Sequence, residues 1–466
     1  MQPLVIVIAL MAIILLVFTI RSKKPNRKAS AGFISAAVAA FALQLVLEGA
    51  RWQLYPLYLA LVIMGLMLYL KAFMWKSFKK SGRWGVTFVF ALLVLCSLVA
   101  VWVFPMRDVP KPSGEAPVGT VSFVIEDDDR DEPYGDDPDA KRRFKVQAWY
   151  PAETTEDYER APWIDDGKPV LRGLSRDVGL PFFTLDHLAK IESHAYRDAP
   201  VKEASASHPV IILSHGWRGF RNLHTDIAEE LASQGYVVFG IDHAYGSVAT
   251  VLNDDETLLL DPEALPGRET TPDFLEYANR LVNTYAGDVT ATLDFIEADH
   301  DDRREALMES LDLERIGLMG HSTGGGGAAT VAASDSRIDA LIGLDAWVEP
   351  LGEDGIEEGV GVPSLFLRSG EWEESYNNEN LLTLIEASED ARLYQIEGTT
   401  HADFAMVHMI SPLTRTVGLS GDVKSDRLTP MLRTMVNGFF DEALKEKPGR
   451  SFDPDAWKEV RKIEIE

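Results

Sequence analysis

The stretch RIGLMGHSTGG, residues 315–325, decides how the rest of the chain is read. An apolar run, Arg315–Met319, leads straight into Gly320-His321-Ser322-Thr323-Gly324-Gly325, and a small-residue helical pattern over Gly325–Ala333 follows. This is G-x-S-x-G in a strand–turn–helix setting, the context that gives the pattern meaning. The turn is tight enough to need flanking glycines, because a Cβ there would strike neighbouring backbone. It projects Ser322 into a cleft beside the amides of a helix N-terminus.

On either side of this turn, short Val/Ile/Leu-rich runs alternate with helical patterns. The strands read as Arg143–Tyr150, Pro209–Ser214, Tyr236–Ile241, Arg315–Met319, Ala340–Leu344, Pro363–Arg368 and Arg392–Ile396. Helices fit between them at Leu223–Ser233, Phe274–Ala298, Gly325–Ala333, Asn380–Ala387 and Thr429–Lys445. Continuous apolar runs suit parallel strands buried on both faces, and the alternation predicts a doubly wound, mostly parallel α/β sheet. Ligands then gather at the carboxyl ends of the strands.

A serine hydroxyl is a poor nucleophile unless a base takes its proton and an acid orients that base. In this fold the three come in chain order Ser, Asp/Glu, His. Of ten histidines, only His401 and His408 follow every candidate acid. His401, in the loop after strand Arg392–Ile396, is the expected base; His408 reads as packing. Alternation should turn the side chain of His321 away from the cleft into the sheet. Two acids compete. Asp345 ends the strand after the nucleophile helix, in Gly343-Leu344-Asp345-Ala346-Trp347, and Glu371 ends the next, in Ser369-Gly370-Glu371-Trp372. The shorter side chain at the more abrupt strand end favours Asp345. The developing oxyanion needs two amides: Thr323 N–H, after the nucleophile, and Trp217 N–H, from the exit loop Ser214-His215-Gly216-Trp217-Arg218-Gly219. Trp347, Phe404 and His243 are candidates for the substrate pocket, with a structural Asp242–His243 pair as the competing reading of the last.

These motifs resemble the platelet-activating-factor acetylhydrolase family, of the plasma, lipoprotein-associated phospholipase A2 type, from about Lys145 to Ala443. The likeness rests on Ser-His-Gly-Trp-Arg-Gly-Phe-Arg at 214–221, Gly-His-Ser-Thr-Gly-Gly at 320–325, Leu-Asp-Ala-Trp at 344–347 and His401-Ala-Asp-Phe404. The resemblance implies an α/β-hydrolase fold, a triad of Ser322, Asp345 and His401, and oxyanion amides at Trp217 and Thr323. It implies calcium-independent hydrolysis of short or oxidised sn-2 acyl esters of phospholipids, with no metal and no organic cofactor. A second resemblance is to cutinase-like polyester hydrolases, whose serine motif also runs into four glycines, as Gly324–Gly327 do here. Those take their acid one strand later, where Glu371 stands.

The N-terminal part is of another kind. Residues 1–107 hold twelve Lys/Arg against a single acid, Glu48, whereas the rest holds 33 basic and 71 acidic side chains, a net charge near −38. So acidic a body repels phosphate backbones, which argues against a nucleic-acid partner. The one cysteine, Cys96, lies in an apolar run, excluding disulfides and cysteine-rich metal sites. Four apolar runs, Pro3–Ile20, Ala31–Leu47, Trp52–Leu70 and Val86–Phe104, are long enough to cross hydrocarbon as helices; the second, carrying Gln44, is the weakest. The first run has its basic cluster (Arg21, Lys23, Lys24, Arg27, Lys28) after it, the reverse of a secretory signal. With the second basic loop (Lys71, Lys76, Lys79, Lys80, Arg83), this places both loops in the cytoplasm and everything after Phe104 outside the cell membrane. No charge in mid-span suggests a transport path.

The expected organisation is therefore an all-α membrane anchor over 1–105, a Pro/Gly-rich linker over 106–118, a catalytic domain over 119–447 and a tail over 448–466. Nine carboxylates in Glu126–Asp139 read as a solvated loop between strands, since the ligand spacing of an EF-hand is missing. The functional reading is a membrane-embedded serine hydrolase acting on an ester or lipid substrate. A non-catalytic receptor on the same fold would show a missing triad member or a blocked turn, and neither is present.

Overall fold

The computed structural model describes residues 3–22, 24–74, 80–202, 207–298, 305–445 and 452–465. Contacts divide it into two units, Met1–Arg107 with Met409–Leu413, and Asp108–His408 with Thr414–Glu466.

The first unit contains helices α1 (Pro3–Arg21), α2 (Arg27–Leu47), α3 (Tyr55–Phe73) and α4 (Lys80–Val103). All four are long and apolar enough to cross a membrane. Helix α2 begins four residues before the expected Ala31 because Asn26 caps it, its side chain accepting N–H groups from Lys28 (2.9 Å) and Ala29 (3.3 Å). Gln44, the polar residue within this run, is buried and satisfied: it donates to Gly49 O and accepts from Tyr58 Oη. Leu10, Val46, Leu66 and Phe88 are among the large apolar side chains left exposed on the unit's surface. Of the two basic clusters, Lys23, Lys76 and Lys79 lie outside the described residues, as does Trp75.

In the second unit the strands are β1 (Val118–Asp131), β2 (Lys141–Pro151), β3 (Arg160–Pro162), β4 (Glu192–Arg197), β5 (His208–Ser214), β6 (Val237–Asp242) and β7 (Ala249–Asn253). There follow β8 (Glu256–Leu259), β9 (Leu311–His321), β10 (Ala340–Leu344), β11 (Ser364–Ser369), β12 (Ala391–Ile396) and β13 (Val460–Ile463). The helices are α5 (Lys168–Asp177), α6 (Thr225–Ser233), α7 (Phe274–Glu297), α8 (Glu305–Glu309), α9 (Thr323–Ser334), α10 (Gly352–Glu358), α11 (Asn377–Ala387) and α12 (Ser425–Lys445).

Eleven strands form one sheet, ordered β13-β12-β11-β10-β9-β5-β6-β2-β1-β4-β3, and β7 pairs with β8 apart from it. The six strands from β12 to β6 run parallel, and β2 and β13 close this block as antiparallel neighbours. Alternate residues feed two cores, as a strand buried on both faces requires. From β5, Val210 and Ile212 pack with α7, α9 and α11, while Ile211 and Leu213 pack with α6 and α12.

Three stretches differ from the sequence expectation. The acidic segment is a strand rather than a loop as far as Asp131, because the antiparallel register sets Glu126 opposite Arg143 and Asp127 opposite Arg142. The stretch read as a tail supplies β13, antiparallel to β12. The stretch read as a linker is bound to the second unit: Ser113 N donates to Glu230 Oε2 (2.7 Å), and Arg433 donates to Lys111 O (2.7 Å).

From β5 the chain winds one way to β6, and from β9 it winds the other way through β10, β11 and β12. The strand order therefore reverses between β5 and β9, and the crevice at their carboxyl ends is where such a sheet binds ligands. The loop after Ser214 and the turn at Ser322 both open there.

Candidate active site

The turn after β9 holds Ser322 at φ +55° and ψ −122°, a region nearly closed to non-glycine residues. The surroundings enforce it. Ser322 N donates to Leu344 O (3.0 Å), and Ser322 O accepts from Trp347 N (2.9 Å) and Gly326 N (3.1 Å). A Cβ on Gly320 would come within 2.2 Å of Gly324 O, so the flanking glycines are required by close approach. The loop from β5 reaches the same point: a Cβ on Gly216 would sit 2.8 Å from Ser322 Cβ. Trp217 and Thr323, whose main-chain N–H groups were nominated as oxyanion donors, thus flank the serine from two chain segments. Among the described residues neither N–H is seen to have an acceptor.

Asp345 follows β10 at φ +41° and is 1% exposed. Its carboxylate is held by neighbours from β11: Oδ1 accepts Ser369 N–H (2.7 Å) and Oδ2 accepts the Ser369 hydroxyl (2.6 Å). Oδ2 also lies 3.1 Å from His401 Nδ1. That contact sets the tautomer in which the His401 Nδ1–H donates to Asp345, leaving Nε2 as the ring's acceptor.

His401 opens a short helical turn, His401–Phe404, with a capping box in which Asp403 Oδ2 accepts Thr400 N–H (2.9 Å). Asp403 also accepts Gly421 N–H (2.7 Å), so the motif His-Ala-Asp-Phe encodes the shape of the loop that carries His401. Glu371 touches His401 at its backbone: Oε2 accepts His401 N–H at 2.7 Å. His321 is buried but is not turned away from the site: its ring lies 4.6 Å from that of His401, and its Nε2–H donates to His401 O (3.0 Å). Burial, with His401 and His224 nearby, pushes His321 well below the ordinary imidazole range, and burial pushes His224 down to about 4. Both are neutral at pH 7 and place no positive charge beside His401.

Two expected pocket residues lie elsewhere. His243 does not rim the cleft; it is fully buried, with Nε2 2.7 Å from Ser214 Oγ and Nδ1 2.9 Å from Asp288 Oδ2. Ser214, His243 and Asp288 repeat the connectivity of a catalytic triad, but none is more than 1% exposed. They form a structural network beneath the loop that carries Trp217. Burial opposes ionisation of Asp288, yet Arg142 (2.6 Å), itself fully buried, holds its carboxyl well below the usual carboxylate range. His243 is pushed down by burial despite Asp288, so it is neutral. Phe404 is 3% exposed and packs with Ile396, Leu428 and Met431 in a core cluster, because the capped turn folds it inward behind His401. Trp347 stays beside the serine, half-buried, its Nε1–H on Glu349 (3.2 Å) and its ring 6.0 Å from Phe274.

Sequence reasoning passed over Ser369 and Trp372. The Trp372 ring lies flat against the His401 imidazole, centroids 4.2 Å apart and planes within 5°. Both belong to the Ser-Gly-Glu-Trp stretch read only for its acid, and the signal was the cluster of side chains at that strand end.

The reversed mixed sheet with a strained serine turn at its crevice defines an α/β-hydrolase, and the chain is a carboxylic ester hydrolase. It belongs to the platelet-activating factor acetylhydrolase, isoform II, family, whose model matches residues 102–266 and 274–453. It is 26% identical to platelet-activating factor acetylhydrolase of Canis lupus familiaris over 321 residues, 64% of this chain and 68% of that protein. It is 24% identical to the Gallus gallus enzyme of the same name over 350 residues, 68% and 81% of the two chains. The ferulic acid esterase structure from Streptomyces cinnamoneus aligns with 77% of this chain and all of its own, at 26% identity and a TM-score of 0.63.

Proposed function

We propose that this protein is a membrane-anchored serine esterase that removes short acyl groups from lipid esters. The observation that carries the reading is the Asp345–His401 contact, with both carboxylate oxygens of Asp345 held by Ser369. Ser322 Oγ attacks the ester carbonyl as its proton passes to His401 Nε2. The carbonyl oxygen becomes an oxyanion received by the N–H groups of Trp217 and Thr323. Collapse breaks the ester bond, and the alcohol leaves with the proton from His401. Water, deprotonated by the same imidazole, then attacks the acyl-enzyme, and the carboxylic acid departs from Ser322.

The family relatives named as platelet-activating factor acetylhydrolases support an acetylated phospholipid as the substrate class. The four long apolar helices support residues 1–105 as the anchor, and the basic clusters around 21–28 and 71–83 argue for the catalytic domain on the extracytoplasmic side. Anchoring keeps the site at high local concentration of membrane esters. The test is hydrolysis of a panel of esters, varied in acyl length and head group, by full-length protein in detergent. Turnover of acetyl esters that Ser322→Ala abolishes supports the reading; turnover that survives Ser322→Ala removes it.

A further inference from the structure

Three features around His401 converge on one short segment. Ser369, at the end of β11, donates its main-chain N–H and its hydroxyl to Asp345. Glu371, two residues on, accepts His401 N–H. Trp372 donates its own N–H to Ser369 Oγ (3.3 Å) and lays its indole face on the His401 ring. Acid, base backbone and base ring are therefore gripped by three residues of one four-residue stretch, Ser369, Glu371 and Trp372.

We propose that Trp372 is a positioning residue for the reaction, fixing the plane of the His401 imidazole and favouring its protonated form through the face of the indole. The proposal rests on His401 as the catalytic base. The parallel stack at 4.2 Å holds the imidazole plane, and within that plane the Asp345 contact selects the flip with Nδ1 on the carboxylate and Nε2 turned the other way. When the ring takes the serine proton it becomes a cation facing the electron-rich indole, an attraction the neutral ring lacks. The stack is thus stronger in the transition state than in the resting enzyme, which is what a contribution to rate requires. The other groups facing His401 are Asp345 on its Nδ1, Glu371 on its N–H, the neutral ring of His321 at 4.6 Å, and Asp403 in its own turn. The indole is the remaining face of the cage, and it is uncharged.

The experiment compares Trp372→Phe, Trp372→Leu and the parent in full-length protein, with p-nitrophenyl acetate as probe from pH 5 to 9. A fluorophosphonate label that reacts only with the competent serine counts folded sites. With Trp372→Leu, kcat per labelled site should fall about 10-fold with KM within about twofold, and the acidic limb of kcat/KM should move down by about half a pH unit. Trp372→Phe should recover most of both. A fall in kcat with an unmoved acidic limb, a change confined to KM, or Phe behaving as Leu does would each overturn the proposal. If the parent shows no Ser322-dependent turnover, the functional reading fails instead, and the two failures are told apart.

Discussion

Glu371 meets His401 at its main-chain N–H, at 2.7 Å, while Asp345 meets the imidazole at Nδ1, at 3.1 Å. One carboxylate therefore anchors the loop and the other faces the imidazole, the proposed base. Asp345→Asn should lower kcat by about 10⁴-fold, because an amide cannot hold the required tautomer. Glu371→Gln keeps an acceptor for the N–H and should cost about 10-fold or less. Parallel kcat measurements decide it: equal losses, or the reverse order, would move the acid to Glu371 and restore the polyester-hydrolase comparison.

The basic loops predict which parts of the chain are reachable from outside the cell. A protease added to intact cells should cut after residue 105 and spare the loops around 21–28 and 71–83. Fragments read with antibodies to tags at each loop check this. Protection of the acidic unit would reverse the proposed orientation.

Substrate choice should follow charge and size. Across a phosphatidylcholine series, turnover should be highest for sn-2 acetyl and fall steeply as the chain lengthens. Anionic head groups should be disfavoured by the net charge near −38 after residue 107. EDTA should leave the rate unchanged, since each step is assigned to the chain's own groups. A preference for long unoxidised chains, or inactivation by EDTA, would contradict the substrate assignment.

Glu229 supplies a prediction about stability. It is fully buried in α6, its Oε1 accepts His194 and Ala195 N–H groups at 2.8 Å each, and burial pushes its carboxyl up to about 7. A folded value raised from 4.5 means a contribution fully present below pH 4.5 and lost as pH rises through 7. Glu229→Gln keeps the accepting oxygen and removes the charge. It should be neutral at pH 5 and stabilise the fold by about 2 kcal/mol at pH 8. Thermal melts of the two proteins at both pH values test this; equal shifts at pH 5 and pH 8 would refute it.

Much of the fold was legible because its signals are local. Parallel strands must be buried on both faces, so β5, β6, β10, β11 and β12 show as apolar runs whose limits fall within a residue or so of those observed. The serine turn is written in its own glycines, and Asp345 and His401 sit at the next strand ends where chain order puts them. Strands β1 and β13 were illegible because each depends on a partner. The acidic end of β1 becomes a strand only by pairing with Lys141–Arg143 of β2, and Val460–Ile463 becomes one only by adding to β12.

The sequence by itself determined the α/β sheet, the serine turn and the apolar helices, since each follows from periodicity or from backbone sterics within a few residues. Only the tertiary structure decided how the polar groups are shared out. It set Glu371 on a backbone N–H and Trp372 on the face of the His401 ring, and it sealed His243 into a network with Asp288. Those assignments turn on distances of a few ångströms between residues tens of positions apart, and the order of residues along the chain does not contain them.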